Sequence, residues 1–307
     1  MKRIFNTVAT LWRGGRTNFP KKDAHSTYRR LHFYTVSCMH LACLHRWLHC
    51  EVPPALQTEL QRSSLLLKVL TKPYINRRWG FQKRAHMIAT HYRLVGVLDL
   101  PFFNFPDDHY WNCTQFELDQ RPFRIVIDRP SWMRSEGEVC VSLFAGVDRL
   151  YSLALSIGGT ADSPRLLVGA IQGAADVVDG SLYSNITKLF HGIRPRDMMV
   201  HIVKIMAQHV GCTELWAVSD ACHQSVGRGN QFARASKYDG IWLENGGTPN
   251  DAGFFVMCTT LHRRADEDIP ARKRALYRRR YALLGTLAEN IKIAFASEHK
   301  NSRLHGL

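Results

Sequence analysis

The sequence predicts an α/β (α+β) fold: a mixed, largely antiparallel sheet with a strand–helix–strand core, preceded by a basic helical part. Three observations support this prediction. Residues 165–172 form a short apolar, β-branched run behind a proline, which is typical of a buried strand. Apolar residues recur at helical spacing over 198–206, and Gly211 stands where a glycine commonly ends a helix. The run 213–219 follows as a second strand, so the order of these segments predicts an α/β unit.

The composition is that of a globular protein. The chain has 307 residues, 45% of them apolar, which suits one large domain or two modest ones. It contains no run of about 18 apolar, uncharged residues, so no membrane span is predicted. The basic N-terminus is followed by an apolar stretch that is too short and too polar for a secretory signal. Eight cysteines in such a chain therefore indicate reduced thiols in the cytoplasm.

Positive charge is concentrated in the first third of the chain. Residues 1–93 contain 17 Lys/Arg against 3 Asp/Glu, whereas residues 94–307 contain 24 against 23. Such an asymmetry predicts an anionic partner, either a membrane surface or a glycolipid, and a position peripheral to the inner membrane. Nucleic acid is not predicted as a partner, because no recognition motif accompanies the charge. The alternative is that the charge serves solubility alone.

The first 112 residues are predicted to form a basic helical region. Residues 1–22 are basic and contain two glycines and a proline, so we expect this stretch to be mobile or loosely packed. Apolar residues at helical spacing predict helices over about residues 27–50, 55–70 and 79–97. Prolines end the first two of these helices, because proline cannot continue a helix. Turn-forming residues over 101–112 predict a link to the second part.

Residues 113–307 are predicted to form an α/β domain with a C-terminal helix. Strands are expected over residues 123–128, 138–144, 150–157, 165–172, 213–219, 238–244 and 253–257. A tight hairpin is predicted at Gly146–Asp148, and the strand 165–172 is expected to continue an antiparallel meander. The last two strands are expected to pair through a glycine-rich turn, and a loop with a short helix is expected over 174–190. The last helix is predicted to begin near Pro270. Its buried stripe is predicted to consist of Leu276, Leu283, Leu284, Leu287 and Ile291.

One cluster of cysteine and histidine residues is a candidate metal site. It comprises Cys38, His40, Cys43, His45, His49 and Cys50. A tetrahedral zinc site needs ligands that converge on the ion, and one predicted helix can offer only two or three of these side chains. No metal site is therefore predicted.

Candidate catalytic residues follow the strand that ends at Ser219. His223 lies in a loop directly after a strand, where bases and nucleophiles often lie, and Asp220 is close enough in sequence to orient it. The alternative is that His223 is an ordinary polar loop residue.

A candidate anion site lies where the central helix begins. His191, Arg194 and Arg196 surround this point, and the free N–H groups and dipole of a helix start add to the arginine charge. The alternative is that the arginines pair with carboxylates such as Asp197 or Asp176. Further candidates for lining a pocket are Tyr238, Asp239, Trp242 and Glu244.

The order of several stretches resembles the VirK/YbjX family of uncharacterised bacterial proteins. The matching stretches are His91–Tyr92, Ser135–Glu138, Leu143–Phe144, Leu150–Leu153, Val168–Gly173, Lys188–Pro195, Ala217–Ser219, Tyr238–Asp239 with Trp242, and Gly246–Gly247. The resemblance implies a cytosolic protein of Gram-negative bacteria, linked to virulence and to resistance against antimicrobial peptides through the cell envelope. It implies no particular catalytic residue.

A second resemblance, to the GCN5-related acyltransferase fold, covers residues 165–219. In that fold a strand, a phosphate-binding turn, a helix and another strand hold acyl-coenzyme A. Arg194–Asp197 would take the helix-start position that grips pyrophosphate, with Arg-Pro-Arg in place of the glycine-rich turn. Two functions follow. One is an enzyme that moves an acyl group from an acyl-coenzyme A-type donor onto an envelope component or protein. The other is a non-enzymatic adaptor that binds anionic membrane or glycolipid through residues 1–93.

Overall fold

The computed structural model describes residues 2–20, 24–50, 52–107, 109–173, 180–225 and 238–304. These residues form ten α-helices: α1 (Lys2–Asn18), α2 (Ala24–Met39), α3 (Leu41–His49), α4 (Pro54–Arg62), α5 (Leu65–Leu70), α6 (Phe81–Val97), α7 (Gly180–Leu189), α8 (Pro195–His209), α9 (Tyr238–Glu244) and α10 (Ala271–Leu304). They also form eight strands: β1 (Tyr110–Leu118), β2 (Arg121–Asp128), β3 (Val139–Ala145), β4 (Asp148–Gly159), β5 (Pro164–Gly173), β6 (Glu214–Val218), β7 (Thr248–Pro249) and β8 (Phe254–Cys258).

All eight strands belong to one sheet with the order β1-β2-β3-β4-β5-β6-β8-β7. Neighbouring strands are antiparallel except β5 and β6, which are parallel and are joined across one face by α7 and α8. The predicted mixed, largely antiparallel sheet is therefore confirmed, as is the strand–helix–strand core. The hairpin between β3 and β4 also forms as predicted, with Gly146 at φ +62°.

Helices cover both faces of the sheet. The helices α8 and α10 pack with the interior faces of β1–β6 in one apolar core, while helices α1–α6 form most of a second core that reaches Leu167, Val218 and Phe254. On α10, Leu283, Leu284, Leu287 and Ile291 are buried as predicted, because their spacing places them on one side of the helix; Leu276 is half-buried. No helix in the described part of the chain combines the length and the apolarity needed to span a bilayer.

The expectation of a mobile stretch at residues 1–22 is wrong for residues 2–18, which form α1. The glycines that suggested a break serve close packing instead. A Cβ atom at Gly15 would overlap the ring of Tyr34, and one at Gly14 would press against Leu67. Glycine is tolerated inside α1 because it lets the helix approach its neighbours, which offsets the lower helix propensity of glycine.

Several predicted boundaries also differ from the structure. The predicted helices 27–50 and 55–70 are each divided in two, near His40 and near Ser63, and the predicted link 101–112 contains the start of β1 at Tyr110. The division of the chain at residue 112 into two domains stays a prediction.

The prediction of a strand at 238–244 is wrong, because these residues form α9. The carboxylate of Asp220 accepts hydrogen bonds from the backbone N–H groups of Tyr238 and Asp239, at 2.9 and 3.3 Å, and so caps the free end of this short helix. Tyr238, Ile241 and Trp242 are the buried residues of α9, which is helical spacing. As a result β8 pairs with β6 and with the short β7, rather than with 238–244.

Candidate active site

The parallel strands β5 and β6 are neighbours over only part of the length of β5. Residues 165–168 pair with residues 214–217; β6 then ends at Val218, whereas β5 continues to Gly173 beside β4. The sheet is therefore open between the carboxyl ends of two parallel strands. In α/β sheets this is where ligands usually bind.

At this opening His223 lies between a hydroxyl and a carboxylate. Its Nδ1 lies 2.7 Å from Ser225 Oγ and also accepts the Ser225 backbone N–H at 3.4 Å. Because Nδ1 accepts, the ring proton is assigned to Nε2, which lies 3.5 Å from Glu136 Oε1. Only 5% of His223 and 4% of Glu136 is exposed. A histidine held between a hydroxyl and a carboxylate is the arrangement of a general base with its orienting partner.

Two side-chain amides donate hydrogen bonds to the carboxylate of Glu136. Gln172 Nε2, near the end of β5, donates to its Oε2 at 2.7 Å, and Gln224 Nε2 donates to its Oε1 at 3.1 Å. A Cβ atom at Gly169 would overlap the carbonyl oxygen of Glu136, so the backbone of β5 can approach this segment only because residue 169 is glycine. The sequence reasoning missed Glu136 and Gln172 as site residues, although both lie in stretches that carry the resemblance to the VirK/YbjX family.

Two residues further on, Glu138 anchors the same segment in the protein interior. Its carboxylate accepts hydrogen bonds from the hydroxyls of Tyr74 and Tyr92, both at 2.9 Å, and its carbonyl accepts one from Arg134 Nη1 at 2.7 Å. Burial alone would raise the pKa of Glu138, but the nearby cations, Arg134 above all, hold that pKa below its ordinary value. Glu138 is therefore a buried carboxylate that stays charged.

Arg129 completes this buried network. It donates to both carboxylate oxygens of Glu59 on α4, at 2.8 and 2.9 Å, and to the hydroxyl of Tyr92 at 2.8 Å. Glu59, Arg129, Arg134 and Glu138 are all buried, and their charges balance. The network joins the N-terminal helices to the segment before β3 and so fixes the position of Glu136.

Asp220 and Trp242 make contacts that stabilise the fold. Asp220 caps α9, and its own N–H donates to Asp239 Oδ1 at 2.7 Å, so Glu136 rather than Asp220 faces the imidazole of His223. Trp242 is fully buried, and its Nε1 donates to the Val218 carbonyl at 2.9 Å. Tyr238 packs its ring against the edge of His223, with centroids 5.0 Å apart.

The arginines at the start of α8 are paired. Arg194 Nε donates to Asp197 Oδ2 at 2.6 Å, and Arg196 Nη2 donates to Glu244 Oε2 at 2.6 Å; Arg194 also contacts Glu244. Arg194 thus pairs with Asp197, as the alternative interpretation predicted. Asp176, the other carboxylate of that interpretation, lies outside the described residues. The hydrogen bond from Arg194 contributes most to lowering the pKa of Glu244. An anionic ligand at this point would therefore compete with Glu244.

Helix α9 connects these two groups of residues. Its first residue, Tyr238, contacts His223, and its last residue, Glu244, contacts Arg194 and Arg196. His191 precedes α8 at φ +53°, and its carbonyl accepts hydrogen bonds from Arg280. His223 and the two arginines, predicted from separate stretches, thus lie at the two ends of one seven-residue helix.

The thiol and imidazole cluster of the first helices lies elsewhere. His45 Nδ1 and His49 Nε2 both contact the hydroxyl of Thr7, at 3.0 and 2.9 Å, while Cys38 and Cys50 are exposed. Across the described ranges, no three His, Cys, Asp or Glu side chains are arranged so that they could hold a metal ion.

Comparison with known proteins agrees with the family resemblance. A family model described as a protein of unknown function (DUF535) matches residues 22–293. An uncharacterised protein of Haemophilus influenzae is 33% identical over 128 residues, which are 41% of this chain and 42% of that relative. The uncharacterised protein YbjX of Escherichia coli is 26% identical over 133 residues, which are 42% of this chain and 40% of that relative. The chain thus spans less than half the length of these curated relatives. No solved structure matches the chain.

Proposed function

The chain belongs to the DUF535 family of proteins of unknown function, and we propose that it is an acyltransferase-like enzyme that uses an acyl-coenzyme A-type donor. The observation that carries this proposal is the opening between β5 and β6, with His223 beside it between Ser225 and Glu136. The earlier resemblance of the strand–helix–strand order to the GCN5-related acyltransferase fold supports the same proposal.

In this proposal His223 is the general base. Its Nδ1 takes the proton of the acceptor's hydroxyl or amine as that group attacks the thioester carbonyl carbon of the donor. Glu136 stabilises the resulting imidazolium through Nε2. The C–S bond then breaks, and the leaving thiolate takes the proton from His223. Ser225 Oγ marks the position where the acceptor's hydroxyl would meet Nδ1.

The phosphates of the donor would lie at the start of α8. In this proposal Arg194 and Arg196, which are partly exposed, exchange Glu244 for phosphate oxygens, aided by the dipole of the helix start. The acceptor would be an envelope component or a protein met in the cytoplasm. A role in virulence and in resistance to antimicrobial peptides rests on the VirK/YbjX resemblance alone.

Calorimetric titration with coenzyme A and long-chain acyl-coenzyme A, at moderate salt, tests the donor site. We expect saturable binding that Arg194→Ala/Arg196→Ala weakens at least tenfold, since charge-assisted contacts to phosphate are lost. Glu244→Gln should instead strengthen binding, because it releases both arginines from a competing carboxylate. The absence of binding to folded wild-type protein would contradict the donor site.

A second candidate function, docking on anionic membrane, is favoured by one specific observation. Ile4, Phe5, Val8 and Trp12 lie on one side of α1, and all are exposed; for Phe5 the exposed fraction is 72%. They belong to the strongly basic region of residues 1–93. An exposed apolar helix face within basic surroundings is typical of a helix that lies in a membrane interface.

Vesicle co-sedimentation tests this second candidate. We expect binding to vesicles containing phosphatidylglycerol, little binding to pure phosphatidylcholine, and release by salt because the attraction is screened. Phe5→Ser/Trp12→Ser should weaken binding at least tenfold, whereas Val147→Ser, which changes an exposed residue of the β3–β4 turn, should leave it unchanged. Binding that ignores both lipid charge and salt would contradict membrane docking.

A further inference from the structure

A pocket of about 660 Å³ lies between α8, the end of α9 and α10. One wall consists of Arg194, which directly precedes α8, and of Asp197, His201 and Lys204, whose spacing of three or four residues places them on one side of that helix. The opposite wall includes Leu261, His262, Arg264, Tyr277, Arg280 and Tyr281. The pocket thus combines cationic and aromatic side chains; it does not include His223, but it shares Arg194 with the proposed donor site.

The carboxylates of this pocket are already paired, but several of its cations are not. Asp197 and Glu244 both bond to Arg194. Lys204 Nζ donates to the Asn245 carbonyl at 3.0 Å, Arg264 Nη2 to that of Asp268 at 2.8 Å, and Arg280 Nη2 to that of His191 at 3.1 Å. Among the described residues, Lys204, Arg264 and Arg280 have no carboxylate partner.

Two buried nitrogens line the pocket without full hydrogen bonding. Lys204 is only 8% exposed, and its ammonium has one carbonyl partner within the described ranges; burial lowers its pKa. Nδ1 of His201 is buried and has no hydrogen-bond partner in the described part of the chain. Burial, above all, lowers the pKa of His201 to about 4, so this ring is neutral near pH 7. Burying an ammonium without an anion is costly, which indicates that an anion belongs beside it.

We infer that this pocket binds a phosphorylated ligand, with a diphosphate group held by Lys204, Arg264 and Arg280. Three cations that converge from two helices and a loop match a multiply charged anion better than a single carboxylate, since each phosphate oxygen accepts strong charge-assisted hydrogen bonds. Arg264 and Arg280 both lie over the ring of Tyr277, 5.9 and 4.5 Å from its centroid, so this ring holds two of the three cations together. This inference goes beyond acyl transfer, because the site can be filled by a ligand with no acyl group.

Calorimetric titrations with inorganic pyrophosphate, ADP and coenzyme A test this inference. We expect saturable pyrophosphate binding to wild type that Lys204→Met and Arg280→Gln each weaken at least tenfold. Lys273→Met and Arg279→Gln change exposed residues of α10 outside the pocket and should leave binding unchanged. Lys204→Met should also fold with a melting temperature no lower than wild type, because it removes a buried charge.

The outcomes separate this pocket from the acyl-donor site. Binding of pyrophosphate and ADP, but not of coenzyme A, would support the pocket while the donor proposal fails. Coenzyme A binding that is lost in Arg194→Ala/Arg196→Ala but kept in both pocket variants, together with no pyrophosphate binding to wild type, would overturn the pocket and leave the donor site. Wild-type protein that binds none of the probes, or variants that bind pyrophosphate as well as wild type, would also overturn the inference.

Discussion

Replacing Arg129 with methionine is expected to lower the free energy of unfolding by about 3–5 kcal/mol, because it leaves the buried Glu59 carboxylate with only the longer contact to Arg134, at 3.4 Å, and gives the buried cluster an unbalanced negative charge. Arg129 is 2% exposed and makes two hydrogen bonds to Glu59, which is itself buried. Methionine fills much of the volume but offers no donor, so Glu59 would have to stay charged in the core or take up a proton. Urea denaturation followed by circular dichroism measures the loss.

The same measurement on matched variants identifies the cause. Arg93→Met changes an exposed arginine on α6 and should alter stability by no more than about 0.5 kcal/mol. Adding Glu59→Gln to Arg129→Met should recover part of the loss, since the stranded carboxylate is then neutral. A loss below about 1 kcal/mol for Arg129→Met alone would mean that the network is not a desolvated ion-pair cluster.

Replacing His223 with glutamine is expected to lower the rate of acyl transfer by about 10²–10⁴-fold if His223 is the general base. Glutamine keeps a polar side chain of similar reach but does not accept the acceptor's proton. Release of free thiol from acyl-coenzyme A, with and without an acceptor, measures the rate. Donor binding should change little, because the phosphates are proposed to lie at the other end of α9.

Two further variants define the partners of His223. Glu136→Gln removes the charge that stabilises the imidazolium and should also slow the reaction, by less than the His223 change. Ser225→Ala should keep most of the rate if the acceptor, rather than Ser225, is the nucleophile. A folded His223→Gln variant with the wild-type rate would exclude the general-base role of His223.

The sheet could be predicted because its pattern is local. The apolar residues of runs such as 123–128, 150–157 and 165–172 predict buried strands. The helix that begins at Pro195 has its own apolar stripe, and Gly211 marks its end. The site was predicted less completely. His223 was proposed as a site residue because it follows a strand, and its carboxylate partner was expected to be Asp220, its neighbour in sequence, whereas Glu136 faces its imidazole.

Contacts between residues that are far apart in the chain determine the features that the sequence pattern did not predict. Glu136 and Gln224 are hydrogen-bonded across 88 positions in the chain, and Glu59 and Arg129 across 70. Helix α9 has only seven residues, too few to be stable alone, and forms because Asp220 caps it and Trp242 is buried. The sequence by itself determined the family, from the residue types along most of the chain, and the strand–helix–strand core and the basic N-terminal region, since both depend on residues that are close in the chain. Only the tertiary structure decided which charges meet in the interior, because a buried charge is stabilised by whichever partner the fold brings to it.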